Sequence, residues 1–315
     1  MYTREAKQEA PGVYRFSEPA GKRVINFYGL KGEDGWTLVD CGLPDSVQSW
    51  VNEGVISGNI NKLIITHADA DHFGSGAWLK TTYPEIEIIC HPDDQAYIED
   101  HQLIVKNRYD LARQEFGFGY PQATLDILLT ICGEDFKVDS TVQDNDVLSL
   151  AGDDWKVYHL PGHSTGHIGL VRLKDGVFIM GDAFLSDGPP DVEGIPSMPP
   201  THEAVTTYLE SIERARTIEV SLVLSGHWLA LDKNAFIALL DKSGDTVHRD
   251  IRIILAFLEK GEKSFGQILK ELNRQVSTWE EGEDDHYLYA VNGYLKHLQS
   301  QNQITITPQQ KIKLA

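Results

Sequence analysis

No run of apolar residues in this chain approaches the ~20 needed to cross a bilayer as a helix, so a helical membrane protein is excluded. The opening residues Met1-Tyr2-Thr3-Arg4-Glu5-Ala6 carry no apolar core of signal-peptide length, and a cytoplasmic location is the expectation. Cysteine is scarce. Cys41, Cys90 and Cys132 lie in apolar or strand-like surroundings without paired spacing, which predicts reduced, buried thiols. Basic residues are also in short supply, with 28 Lys and Arg against 47 Asp and Glu and a formal charge of −19. From Thr246 to Ala315 nine basic residues balance nine acidic ones, so the whole excess lies in residues 1–245. A field of that sign repels phosphate backbones, which argues against a nucleic-acid partner and leaves a small-molecule substrate as the expectation. At 315 residues the chain is long enough for one large domain with an appendage.

What is present is a concentrated set of metal-ligand side chains. The apolar, strand-like stretch Leu63-Ile64-Ile65 runs through Thr66 into His67, Asp69, Asp71 and His72. A strand fixes the first His, and a tight turn into a helix converges the others. Three later segments repeat the pattern of strand, Gly-containing turn and ligand. They are Pro161-Gly162-His163 after Trp155–Leu160, Gly181-Asp182 after Val177–Met180, and Gly226-His227 after Val220–Leu224. Each ligand type therefore sits at the carboxyl end of a strand, where open sheets collect their sites. An acidic surface turn can contain two His by chance, but four such turns in series point to one centre. Imidazole and carboxylate together suit zinc, iron or manganese.

At these residues the chain resembles the metallo-β-lactamase superfamily. That family's pattern is His-x-His-x-Asp-His, then a His after Pro-Gly, an Asp after Gly, and a final Gly-His. Leu38-Val39-Asp40-Cys41-Gly42 also matches its early strand ending in Asp-x-Gly, and the likeness runs from near Val13 to about Leu231. The resemblance implies an αββα sandwich and two divalent metal ions, with zinc expected and iron or manganese as alternatives. It implies that His67 and His163 serve the first metal, that Asp71, His72 and His227 serve the second, and that Asp182 bridges them. Asp71 is also the candidate catalytic residue. One position departs: Asp69 stands where the family run has its second His. Three readings stay open, namely direct ligation of the first metal, binding through water, or a weak first site and a mononuclear enzyme. As a ligand, Asp69 would join Asp71 and Asp182 as a third carboxylate, making the pair less electrophilic and favouring manganese or iron. Flavodiiron proteins of the same fold carry a carboxylate here, but they need an FMN domain and nothing in this chain reads as one.

The chain divides in outline at about residue 245. Residues 1–245 read as the catalytic unit, with short strands over 13–42, a hairpin tip at Lys31–Gly35, and helices near 45–55, 74–83 and 201–214. Between about 93 and 138 a helical insertion departs from strand–helix alternation, and Phe116, Phe118 and Tyr120 suggest an aromatic cap over the site, or else an extra helical pair packed on the scaffold. The Pro- and Gly-rich loop Asp187–Pro200 is a second candidate rim. Residues 246–315 read as three helices (247–258, 265–276, 285–300) and a small hairpin, a winged-helix-like appendage for packing or a homodimer contact.

The remaining histidines have simpler readings. His159 and His167 suit hydrogen bonding near His163, and His91 is structural. His101, His202, His248, His286 and His297 read as surface or helix-face residues. Thr66 is placed to orient a ligand through its hydroxyl, and Tyr208 reads first as core. The function expected is a metal-dependent hydrolase of a small ester, thioester or lactone acting through a metal-bound hydroxide. The alternatives are an iron-dependent oxidoreductase on the same fold and a metal-stabilised binding or regulatory protein.

Overall fold

In the computed structural model, which describes residues 4–278 and 287–315, two β-sheets face each other across a shared apolar interior. The first sheet takes its strands in chain order: β1 (Glu5–Ala10), β2 (Val13–Ala20), β3 (Arg23–Gly32), β4 (Gly35–Val39), β5 (Ile60–Ile64), β6 (Glu87–Cys90) and β7 (Ser140–Thr141). Its first four strands are antiparallel neighbours, and β4 to β7 run parallel. The second sheet has the order β12 (Leu222–Ser225), β11 (Val177–Gly181), β10 (Ile168–Arg172), β9 (Asp153–His159) and β8 (Val147–Leu150).

The two-residue period of a strand decides which layer each side chain joins. In β5 and β6, Leu63 and Ile88 turn outward toward helices, while Ile64 and Ile89 turn into the interior between the sheets. In β11, Val177 and Ile179 enter that interior, and Phe178 and Met180 face the opposite helical layer. Helices α1 (Ser46–Asn52) and α3 (Gly76–Thr82) cover the first sheet, and the four-residue α2 (Ala70–Phe73) sits between them in sequence. The insertion follows as α4 (Pro92–Glu99), α5 (His101–Ile104), a π-helical turn (Val105–Tyr109), α6 (Leu111–Phe116) and α7 (Gln122–Cys132). The helical run is interrupted at residue 100, where Asp100 is extended and its carboxylate caps the next helix through Gln102 and Leu103. Helix α8 (Val205–Ala215) covers the second sheet. The architecture is an αββα sandwich.

Helix α9 (Lys233–Leu258) runs through the boundary expected at residue 245. Its apolar stripe Phe236, Leu240, Val247, Ile254 and Leu258 is continuous, so the same helix serves sandwich and appendage. The appendage adds α10 (Phe265–Val276), opened by a Ser264/Gln267 capping box, and α11 (Leu288–Ser300). A small antiparallel sheet completes it, with β13 (Lys263–Ser264), β15 (Lys311–Leu314) and β14 (Ile304–Ile306) in that order. The first residues of the helix expected over 285–300, with His286, lie outside the described residues. Asp250, buried in α9, accepts hydrogen bonds from Tyr287 (3.1 Å) and Tyr294 (2.9 Å) and so ties α11 to α9. Sandwich and appendage share one apolar cluster, in which Val205, Tyr208 and Ile212 pack with Tyr294, Leu295 and Leu298. Among the described residues no helix is long and apolar enough to cross a membrane.

Candidate metal centre

The first element of the centre is the turn after β4. Asp40 adopts a left-handed backbone (φ 60°), a conformation Asp tolerates better than most residues, and this aims its carboxylate back across the sheet end. There it accepts the Thr66 amide (2.7 Å), the Thr66 hydroxyl (2.9 Å) and the His72 Nδ1–H (2.9 Å). One carboxylate thus fixes both the end of β5 and the first ring of α2. The Thr66 hydroxyl in turn accepts from His67 Nδ1 at 2.9 Å.

The same arrangement recurs at the other two rings. His163 donates from Nδ1 to the Thr201 carbonyl at 2.9 Å, and His227 donates from Nδ1 to the Val24 carbonyl at 2.9 Å. With Nδ1 engaged at all four rings, each Nε2 is left for the centre. The Nε2 atoms of His67 and His72 and the Oδ1 of Asp182 are buried with no hydrogen-bond partner among the described residues. Orphaned buried polar atoms are rare, and these are aimed at one another. Ligand atoms of His67, His163 and Asp182 lie within 4.8 Å of one another, as do those of Asp71, His72 and His227. Asp182 Oδ2 is 2.8 Å from His227 Nε2 and 3.5 Å from His72 Nε2. The donor set and its spacing are compatible with divalent metal.

Electrostatics agree with that fit. Burial opposes charge on Asp182, but His227 and His72 beside it hold its carboxyl well below the usual carboxylate range. Burial likewise opposes protonation of His72 and His227, yet Asp182 raises both, with Asp40 also acting on His72. Protons there occupy the place a metal cation would take against the same carboxylate. Burial pushes the His67 imidazole down, keeping it neutral.

Two glycines are required by contact. Gly181 has φ +53°, and a Cβ there would meet Thr66 Oγ1 at 2.7 Å. At Gly226 a Cβ would come within 2.1 Å of Asp182 Oδ1.

Asp69 is the position where the structure adds what the sequence could not show. Its Oδ2 lies 2.7 Å from His163 Nε2 and 3.5 Å from His67 Nε2. Its Oδ1 is already engaged, accepting from Arg108 Nη1 (2.9 Å) and the Tyr109 hydroxyl (2.8 Å). Burial would raise this carboxyl, but the Arg108 guanidinium and His163 hold it well below the usual range. Arg108 is 1% exposed and also donates to the carbonyls of Ala68 and His163 and to the Tyr289 hydroxyl, with Glu203 at 3.3 Å. Arg108 and Tyr109 come from the π-helical turn of the insertion and Tyr289 from α11. The charge argument for manganese or iron is weakened accordingly, because the third carboxylate arrives with its own cation.

Several expectations change with the structure. Phe116 and Phe118 do not wall the pocket; they pack on Phe265 of the appendage, with ring centroids at 4.8 and 5.7 Å. Tyr120, Leu128 and Ile131 do line it, as do Pro189 and Met198 of the 187–200 loop. His101 and His202 are buried rather than on the surface, His101 beside Phe73 and His202 between Tyr208 and Tyr294. His167 Nε2 accepts the Asp182 amide at 3.1 Å, and His91 caps α4 and stacks on His159. Tyr208 is core, with its hydroxyl on the Leu185 amide. All three cysteines are free and buried.

The model of the metallo-beta-lactamase superfamily matches residues 20–227, a span ending on His227. The chain belongs to the metallo-β-lactamase superfamily. A probable metallo-hydrolase of Bacillus subtilis (strain 168) is 25% identical, the alignment covering 67% of this chain and 83% of that protein. An atrochrysone carboxyl ACP thioesterase of Pseudocercospora fijiensis (strain CIRAD86) is 21% identical over 86% of this chain and 72% of its own. Among solved structures, a metallo-beta-lactamase family protein from Thermus thermophilus superposes with a TM-score of 0.76, at 16% identity, covering 97% of this chain and 99% of that one. The likeness in fold therefore extends through the appendage. Within the superfamily, hydrolase chemistry on a His and Asp centre compatible with divalent metal is the activity class of this chain.

Proposed function

We propose that the protein hydrolyses a small ester, thioester or lactone at a two-metal centre. His67, His163 and Asp69 would hold the first metal and Asp71, His72 and His227 the second, with the Asp182 carboxylate within reach of both sets. The observation that carries this reading is the convergence of four imidazole Nε2 atoms, each with its Nδ1 tied back, on the Asp182 carboxylate. Bound there, the metals would polarise the substrate carbonyl and lower the proton affinity of water. The chain's own residues do the rest. Asp71 stands off from the rings, 4.0 Å from His72 Nε2 and 3.9 Å from His227 Nε2, and faces the cavity. It is placed to take the proton of the attacking water. Tyr109, Tyr120, Leu128, Ile131 and Leu185 exclude bulk solvent from the reacting carbonyl. The fungal relative is named a thioesterase, which supports the acyl-transfer class, with cleavage of the acyl bond by water.

The oxidoreductase reading drew its weight from a third carboxylate. Arg108 offsets that charge, so hydrolysis is the reading kept. Metal analysis of the purified protein, followed by a panel of esters, thioesters and lactones, tests it. Two equivalents of divalent metal and turnover that falls at least ~100-fold in Asp182→Ala, together with metal loss, are expected. Full metal retention at unchanged affinity in that variant would remove the bridging role.

A further inference from the structure

One cation on the pocket wall has no carboxylate to answer it. Arg23 begins β3 and lines the same cavity as Asp71, Asp182 and His227. Among the described residues no carboxylate lies within ion-pair distance of it. Its guanidinium has Met198 Sδ at 3.0 Å, and a thioether is a poor acceptor. The neighbouring acids are engaged elsewhere. Asp191, paired with Arg23 through the backbone, spends its Oδ1 on the amides of Glu193 and Ile195. Asp187 pairs with Lys242 at 3.2 Å. In a chain of net charge −19, a half-buried arginine left unpaired beside a metal-ligand cluster is an unusual arrangement.

The surrounding structure holds Arg23 in place. The backbone bridge to Asp191 and the Val192 amide on the Lys22 carbonyl strap the 187–200 loop across the tip of the β2–β3 hairpin. Met198 and Pro189 of that loop then form the apolar side of the cavity next to the guanidinium. The other guanidinium in the cavity, that of Arg108, is saturated by Asp69, Glu203 and backbone carbonyls, so of the two arginines among the described lining residues it is Arg23 that has donors to offer a ligand.

We propose that Arg23 binds a carboxylate carried by the substrate, so that the enzyme prefers acyl compounds bearing a free acid group close to the scissile carbonyl. The inference deepens the hydrolase reading and rests on it. A guanidinium recognises a carboxylate through two parallel N–H donors, and partial burial strengthens each. The cavity is about 120 Å³ and is lined by Arg23 together with Asp71, Asp182 and His227, so one short acyl chain can meet both the ligand cluster and the guanidinium. A longer leaving group would extend outward past the loop.

Two measurements test this on metal-loaded protein. In the first, the phenyl monothioester of succinic acid is compared with the same thioester methylated at its free acid. Wild type should favour the free acid. Arg23→Ala should raise KM for it by about 10–100-fold, the range of one lost charge-assisted pair, and leave the methylated substrate within about twofold. Arg23→Lys should recover part of the loss, and unchanged metal content and melting temperature would show that both variants fold. In the second, calorimetry compares succinate with its monomethyl ester. Each offers one carboxylate to the metals, and only succinate has a second for Arg23. Wild type should bind succinate more tightly, and Arg23→Ala should erase the difference. If neither thioester is turned over, the thioester form of the hydrolase reading fails while calorimetry still judges Arg23. If wild type makes no distinction in either experiment, or Arg23→Ala weakens both members of a pair alike, the assignment is overturned.

Discussion

The two halves of the metal centre are held by different parts of the molecule. On the His72–His227 side, the supporting groups belong to the sandwich: Asp40 at the end of β4 fixes His72, and the Val24 carbonyl of β3 fixes His227. On the His67–His163 side, His67 leans on Thr66 of the sandwich, and the rest of the support comes from outside the two sheets. Thr201 precedes α8 and fixes His163, Arg108 and Tyr109 of the insertion fix Asp69, and Tyr289 of the appendage holds Arg108. The scaffold therefore builds one half by itself, while the other half is open to retuning through the insertion and appendage. The appendage also gains a role that its neutral charge alone does not suggest, since its α11 reaches the pocket through Tyr289.

Removal of the buried cation should disturb this asymmetry most. Arg108→Met leaves the half-buried Asp69 without its partner, and stability should fall by up to about 3 kcal/mol, read as a lower melting temperature. Metal analysis should show loss from the first site with the second retained; equal loss from both would mean the halves are not independently supported. Asp69→His approaches the same pairing from its other member, because the family-type residue then faces an Arg108 left with Glu203 and backbone carbonyls. That single variant should be destabilised as well, and Asp69→His combined with Arg108→Met should be more stable than the sum of the two changes predicts. Strict additivity in denaturant melts would remove the coupling.

On the other side, Asp40→Asn keeps the shape but weakens the acceptor for His72. Affinity at the second site should drop about 10–100-fold in metal titrations, and the first site should feel the change only indirectly, through Thr66 and His67. A loss of similar kind but remote origin is expected at Gly293. A Cβ there would lie 2.2 Å from the His202 carbonyl, so Gly293→Ala should lift α11 and cost about 1–3 kcal/mol. Through Tyr289 and Arg108 it should loosen the first metal before the second.

The smallest effect is a pH dependence at the same junction. His202 is fully buried, both ring nitrogens lack partners among the described residues, and burial pushes its pKa from 6.5 down to about 3. Below pH 6.5 the unfolded chain takes up a proton that the folded one refuses. Stability from this group is therefore full above pH 6.5 and is lost as pH falls toward 3, at up to about 1.4 kcal/mol per unit. Between about pH 6.5 and 5.5 the loss should be ~1 kcal/mol, and His202→Phe should flatten the acid limb of the stability curve by that amount. A parallel curve in the variant would place the proton uptake elsewhere.

The strands, and the residues that converge at their ends, were legible in the chain alone. A ligand run after Leu63, or a His after Pro161-Gly162, is a local pattern: alternation buries the strand, and the glycine turn sets the next side chain at the sheet's edge. The hairpin of β14 and β15 and the span of α10 were legible for the same reason, since capping and periodicity act over a few residues. The partners of Asp69, the unpaired state of Arg23 and the reach of α11 emerged only on folding. Arg108 and Tyr289 are 181 residues apart, and nothing in an isolated arginine within a helical stretch distinguishes a solvated charge from one buried against a carboxylate. The burial of His101 and His202 was hidden on the same ground, because a ring's exposure is set by whichever element packs over it. Local chemistry fixed which groups can hold metal, and long-range packing fixed the charge and shape they work in.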